Sequence, residues 1–200
     1  MTVIGVTGNI GSGKTTFSRL LEQEKGCLRL DADCLGRLVA LPDGEAYDEL
    51  WQTFGEEYFL ADGSLDRPKM AELVFNNPTE LAKLNGIMHP AVLRQIKKEI
   101  AAAKAENPQQ IVVVEAALLI EADYLGILDE LWLVWADDDV RLKRVMSRDG
   151  ATAEQAQARM RNQMPQAEKT KYASRVVHNN SDINDLRSEL DAVWQQFVGC

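Results

Sequence analysis

Cysteine is scarce in this 200-residue chain, and Cys27, Cys34 and Cys200 are an odd set with no metal-ligand spacing. That excludes a disulfide framework and gives no support to a zinc site. Basic charge is also short, with 22 Lys and Arg against 31 Asp and Glu for a formal net charge of −9. A general nucleic-acid binder carries a basic face, so no nucleic-acid partner is expected, although an acidic protein can hold a locally basic cleft. No apolar run approaches the ~20 residues of a membrane span, so no membrane association is expected. The apolar opening at Val3–Thr7 reads as a core strand rather than a leader. Internal repeats and low-complexity tracts are missing too. These absences leave a globular chain of ordinary usage, expected in the reducing cytoplasm. It is long enough for one sizeable core with an inserted subdomain and short for two typical domains.

Against that background one string stands out. Gly8 to Thr15 read Gly-Asn-Ile-Gly-Ser-Gly-Lys-Thr, the spacing G-x-x-x-x-G-K-[ST] of a phosphate-binding loop. Glycines let successive backbone N–H groups turn inward around an anion. Lys14 can reach the β- and γ-phosphates, and the Thr15 hydroxyl can ligate Mg²⁺. The context agrees with the motif. Val3–Thr7 is β-branched and apolar, and after the loop Phe17, Leu20 and Leu21 recur at helical spacing up to Lys25-Gly26. Strand, glycine loop and helix aim a helix N-terminus at phosphate. The chain is therefore expected to bind a nucleoside triphosphate.

Further strands are expected at Cys27–Asp31, Ile111–Glu115, Leu131–Trp135 and Arg175–His178, separated by helical patterns. The third and fourth strands are near-continuous apolar runs, as in a parallel sheet covered on both faces. This is an open α/β sheet, whose sites lie at the carboxyl ends of strands, here near Gly8, Asp31, Asp33, Glu115 and Asp137. Residues 35–107 carry no convincing central strand and read as a helical insertion, the expected acceptor-substrate lobe. Within it Asn77-Pro78-Thr79-Glu80 has the form of a helix start, Leu81, Leu84 and Met88 share a face, and His89-Pro90 marks a break between two helices. Thr152-Ala153-Glu154-Gln155 is a capping box. The last helix starts near Asp182, with Ile183, Leu186, Leu190, Val193 and Phe197 facing inward.

Several residues carry chemistry or a plainer role, and spacing leaves both open. In Asp31-Ala32-Asp33 alternation puts both carboxylates on one side if the strand continues that far. Either could orient an attacking hydroxyl or cap the helix expected near Leu35. Glu115 ends a strand where an acidic residue can assist magnesium through water, or is simply solvated there. Glu121 reads as a surface residue. Arg144 and Arg148, four apart, share a helical face that can neutralise phosphoryl charge or merely face solvent. Arg148-Asp149-Gly150 marks a loop boundary, as where a mobile lid begins. Arg159 and Arg161 add charge nearby but cannot share one face. Trp51, Trp132, Trp135 and Trp194 read as core or rim residues.

Taken in order along almost the whole chain, these pieces resemble the dephospho-CoA kinase family. The match runs through Thr7–Thr15, Asp31-Ala32-Asp33, His89-Pro90 and Leu118-Leu119-Ile120-Glu121. It continues with Arg144, Arg148-Asp149, Ala156-Gln157-Ala158-Arg159 with Gln163, and Asn179. The resemblance implies an α/β P-loop kinase fold of the nucleoside-monophosphate-kinase kind. A five-stranded parallel sheet (about 1–34, 108–147 and 172–200) would be flanked by helices, with a helical CoA-binding lobe (about 35–107) and a lid (about 148–171), all in one domain. It implies transfer of the γ-phosphoryl group of ATP, with Mg²⁺, to the ribose 3′-hydroxyl of dephospho-CoA. By the same resemblance Asp33 is the base, Lys14 and Arg148 act on the phosphates, and Gly8, Gly11, Ser12, Gly13, Thr15 and Thr16 hold ATP. Thr15 also holds the metal. Arg144 would assist, Asn179 belong to the adenine pocket, and His89 touch substrate. The chain departs from the family pattern at Asn9, Ala117, Ser174 and Ser181, none of them in the phosphate chemistry. A small P-loop kinase for a nucleoside monophosphate or another small alcohol is the alternative. A guanine-type switch lacks its Asn-Lys-x-Asp string. Monomer and small homo-oligomer both stand.

Overall fold

The computed structural model describes residues 1–75 and 77–199; Cys200, expected at an exposed terminus, lies outside them. The element order is β1 (Thr2–Thr7), α1 (Lys14–Lys25), β2 (Leu28–Asp31), α2 (Ala32–Leu38), α3 (Tyr47–Phe54), α4 (Arg67–Phe75), α5 (Pro78–Glu106), β3 (Ile111–Glu115), β4 (Glu130–Trp135), α6 (Asp138–Asp149), α7 (Ala153–Arg161), α8 (Gln166–Lys169), β5 (Arg175–His178) and α9 (Ile183–Val198). Two compact units result: Met1–Leu30 with the chain from Ala103 onward, and Asp31–Ala102.

The first unit holds a five-stranded sheet in the order β2-β3-β1-β4-β5. β1 lies between β3 and β4 in parallel register, Val6 opposite Glu115 and Thr7 opposite Leu133, and β4 pairs in parallel with β5. The alternation of strand and helix predicts this arrangement, since parallel neighbours need crossover connections. Ile4, Val6, Val113, Trp132, Val134 and Val177 pack with Phe17 and Leu21 of α1 and Leu186, Leu190 and Val193 of α9. Trp132 is fully buried, its ring edge-on to Phe197 and tilted against Phe17. Asp182 caps α9 by accepting from the Asn184 and Asp185 amides, as its sequence signal predicts. Ile183, expected inside, is exposed, because the first helical turn leaves the core-facing stripe to Leu186 and Leu190.

The second unit is helical. Its buried residues include Leu50, Phe54, Met70, Ile87, Ala91, Val92 and Ile96, and Tyr47, Trp51 and Phe59 stack at centroid distances of 4.6 to 5.9 Å. α5 corrects the expected break at His89-Pro90: it runs through Pro90 without interruption. Proline removes one intrahelical bond, yet burial of Ile87 on one side and Ala91, Val92 and Ile96 on the other keeps the helix whole. That buried stripe also replaces the face expected from Leu81, which is exposed. Asn77 does cap α5, accepting from the Glu80 amide at 3.3 Å, but Glu80 itself accepts from Lys83 instead of reaching back.

Candidate active site

The loop Gly8–Thr15 leaves β1 at the sheet rim shared with Glu115 of β3 and Asp137 after β4. Gly11 and Gly13 have φ of 81° and 87°, the left-handed region that favours glycine. At Gly11 space is closed as well: a Cβ would sit 2.7 Å from the Arg141 carbonyl oxygen. Gly13 is the N-cap of α1 and offers no side-chain cap, so the first amides of the helix point out of the loop unsatisfied. Amides and helix dipole together form an anion seat. Lys14 is half-buried at its edge.

Around this seat the loop is held from several directions. The Ser12 amide donates to the Asn9 carbonyl at 3.0 Å, and Asn179 Nδ2 donates to the Ser12 carbonyl at 2.7 Å. Arg144 donates to the Asn179 carbonyl at 2.8 Å and the Ser181 carbonyl at 3.1 Å, clamping the turn after β5. Arg144 and Asn179 therefore meet beside the loop, and Ser181, one of the departures, contributes only its carbonyl. Ser174, another departure, serves the sheet: its Oγ accepts from the Leu131 amide.

Beneath the loop lies a network that spacing alone left open. Glu115, 3% exposed, accepts from the Thr15 hydroxyl, from Ser18 Oγ at 2.6 Å and from Arg29 Nη1 at 2.7 Å. A carboxylate this deep needs a cation and hydrogen bonds to stay charged, and the network supplies both. The reading of Glu115 as a solvated strand end is thereby corrected. Glu121 lies at the surface, as expected, yet it pairs at 2.9 Å with the fully buried Lys169, which also donates to the Ala117 carbonyl. Lysine in a polar stretch gives no advance sign of burial, and only the folded chain brings Lys169 to Glu121.

Arg148 and Arg159 sit in a different environment. α6 ends at Gly150 in the left-handed region, and Arg148 in its last turn is exposed. Arg148 forks onto Asp149, Nε to Oδ1 at 2.7 Å and Nη2 to Oδ2 at 3.0 Å, and Arg159 of α7 reaches the same Oδ2 at 2.8 Å. The hydrogen bond from Arg148, then the charges of both arginines, hold the Asp149 carboxyl below the usual carboxylate range. The capping box is present: Thr152 accepts from the Gln155 amide and Gln155 from the Thr152 amide.

In the helical unit the paired carboxylates separate. β2 stops at Asp31, which caps α2 by accepting from the Cys34 amide at 3.1 Å. The helix begins at Ala32, not near Leu35, so strand alternation does not reach Asp33, which is exposed in the first helical turn. His89 lies mid-way along α5, half-buried, and burial lowers its pKa from the ordinary value. Among the described residues no helix is long and apolar enough to cross a membrane, and no cluster of three His, Cys, Asp or Glu side chains gathers that could hold a metal ion.

A family model for dephospho-CoA kinase matches residues 2–185. A curated dephospho-CoA kinase from Carboxydothermus hydrogenoformans is 39% identical over 98% of this chain and 94% of its own length. The crystal structure of TT1252 from Thermus thermophilus superposes with a TM-score of 0.81 at 37% identity, covering 98% of this chain and 97% of that one. A dephospho-CoA kinase from Campylobacter jejuni gives 0.64 at 26% identity over 98% and 96%.

Proposed function

The chain belongs to the dephospho-CoA kinase family, and we propose the division of labour by which its own residues transfer the γ-phosphoryl group of ATP to the ribose 3′-hydroxyl of dephospho-CoA. The backbone amides of Gly11 and of Gly13 through Thr16, with the Lys14 ammonium, hold the triphosphate. Support comes from the left-handed Gly11 and Gly13 and from the uncapped start of α1, which leave those amides for an anion. Gly8 and Ser12 complete the turn. Arg144 and Asn179, joined to each other beside the loop, border the nucleotide's base.

Asp33 accepts or orients the proton of the attacking hydroxyl. The supporting observation is that Asp31 is committed to capping α2, while Asp33 stands exposed in the first turn. Arg148, with Arg159 behind it, neutralises charge developing on the transferred group. The helical unit is the acceptor lobe, with His89 contacting substrate, and residues 148–171 are the lid. The reaction belongs to the reducing cytoplasm.

Kinases of this ATP-using kind work with a divalent metal, and the residues present fit Mg²⁺. Thr15 gives its hydroxyl hydrogen to Glu115, leaving oxygen lone pairs for a hard cation, with Glu115 behind as a second acidic group. Thr15 and Glu115 would hold Mg²⁺ there, and its positive charge would offset that of the phosphates.

The single observation that carries the reading is the glycine-built anion seat at the start of α1, in a chain that matches the family along its length. The experiment is Asp33→Asn. Turnover with dephospho-CoA should fall by roughly 10²–10⁴ while ATP affinity by calorimetry stays at the wild-type value. A parallel loss of ATP affinity would remove Asp33 from the role of base.

A further inference from the structure

The residues that follow α7 are stitched to the phosphate loop by side-chain amides. Asn9 Nδ2 donates to the Met164 carbonyl at 2.9 Å, and the Ile10 amide donates to Gln163 Oε1 at 2.8 Å. Two residues on, Gln166 pairs with both backbone groups of Ala136, donating to its carbonyl at 2.9 Å and accepting from its amide at 3.3 Å. Asn9 is 2% exposed, and Gln166 is buried as well. Asn9 is tied through Nδ2 alone and Gln166 through both ends of its amide, and such buried, directional bonds fix a segment's position.

Asn9, Trp135, Arg141, Met160, Arg161 and Gln163 line a cavity of about 950 Å³. Beside it, these hydrogen bonds tie this end of the lid helix to the loop. The other end is different: Gly150 adopts the left-handed conformation, and Arg148, Asp149 and Gly150 are exposed.

We propose that Asn9 and Gln163 are positioning residues: they clasp the C-terminal end of the lid helix onto the phosphate loop, so that the loop itself places Arg159 and, through the shared Asp149 carboxylate, Arg148. The chain of contacts is continuous. Gln163 lies one turn beyond Arg159, α7 is stiffened at its start by the Thr152–Gln155 capping box, and Arg159 and Arg148 meet on Asp149. Gln163 occupies the Ile10 amide and the Asn9 carbonyl the Ser12 amide, which leaves the amides of Gly11 and of Gly13 onward to phosphate. Asn9 departs from the glycine common in the family pattern, and its amide supplies the second tie. The inference rests on the reading of the lid arginines as phosphate partners.

The test uses the full-length chain and a double-mutant cycle. Asn9→Ala and Gln163→Ala should each lower kcat roughly ten- to a hundredfold, the scale of a 1 Å misplacement. ATP affinity and melting temperature should stay close to wild type. Gln163→Glu keeps an oxygen for the Ile10 amide and should retain most of the turnover. In an Arg159→Ala background neither clasp variant should slow the enzyme further. Losses that add independently to that of Arg159→Ala would overturn the clasp while leaving the lid reading intact. So would a drop in ATP affinity parallel to kcat, because the residues would then be shaping the anion seat itself. Wild-type kcat in both Arg148→Ala and Arg159→Ala would overturn the lid reading and the clasp with it.

Discussion

The phosphate loop and the pair Arg148 and Arg159, both proposed to act on phosphate, are built in opposite ways. The loop is buried and fixed many times over: by backbone conformation at Gly11 and Gly13, by Asn179 on Ser12, and by the Glu115 network under Thr15. Arg148 and Arg159 are 61% and 50% exposed at the side chain and are held by one shared carboxylate. A rigid cradle binds ground state and transition state alike, whereas groups free to rearrange can contribute selectively when charge moves. On the proposed roles, this difference gives binding to the loop and rate to Arg148 and Arg159.

Variants can set the two regions against each other. Lys14→Ala should produce the largest effect, lowering kcat/KM by on the order of 10³-fold with weaker ATP binding measured alongside. Arg148→Ala should cost about 10²-fold in kcat, with little change in acceptor or ATP affinity. An unchanged kcat would return Arg148 to an ordinary solvated helix face. Stability should divide the regions in the reverse sense. Glu115→Ala removes the buried carboxylate that Thr15, Ser18 and Arg29 share, leaving Arg29 its looser pair with Glu22, and should cost about 3 kcal/mol in denaturant unfolding. Asp149→Asn breaks an exposed pair and should change stability by less than about 1 kcal/mol.

The smallest effect expected is in pH dependence. The Asp149 carboxyl is lowered in the folded chain, so its contribution is complete above the unfolded value near 3.9 and disappears as pH falls through the lower folded value. The lid pairing is therefore constant between pH 5 and 8. A carboxyl titration by NMR should show the Asp149 pKa rising toward the ordinary value in Arg148→Ala.

How much of this was legible in the sequence follows the same division. Gly8 to Thr15 announces itself because the backbone geometry admits only certain residue types at fixed positions. The apolar runs of β3 and β4 and the capping boxes are equally local, and they give the parallel α/β sheet. Side-chain pairings between distant segments leave no such trace. Spacing leaves Glu115 open between a magnesium-assisting and a solvated strand-end carboxylate until Arg29 meets it, and nothing in the sequence singles out Lys169 for burial. Pro90 misled because tertiary burial along α5 outweighs a local rule. The Asp31-Ala32-Asp33 string was ambiguous because a one-turn difference in where α2 begins decides which carboxylate caps. Gln163 belonged to a recognisable motif, and Asn9 stood out as a departure, but their joining required the folded chain.

The central claim is that the protein transfers the γ-phosphoryl group of ATP, held by this loop, to the ribose of dephospho-CoA. The most direct measurement incubates the protein with ATP and Mg²⁺ and offers dephospho-CoA, AMP, CMP and shikimate in parallel, reading ADP release and identifying the product by mass and by NMR. The account predicts ADP release with dephospho-CoA alone, and a product phosphorylated at the 3′-hydroxyl, which is coenzyme A. Turnover of another acceptor with none of dephospho-CoA would contradict it.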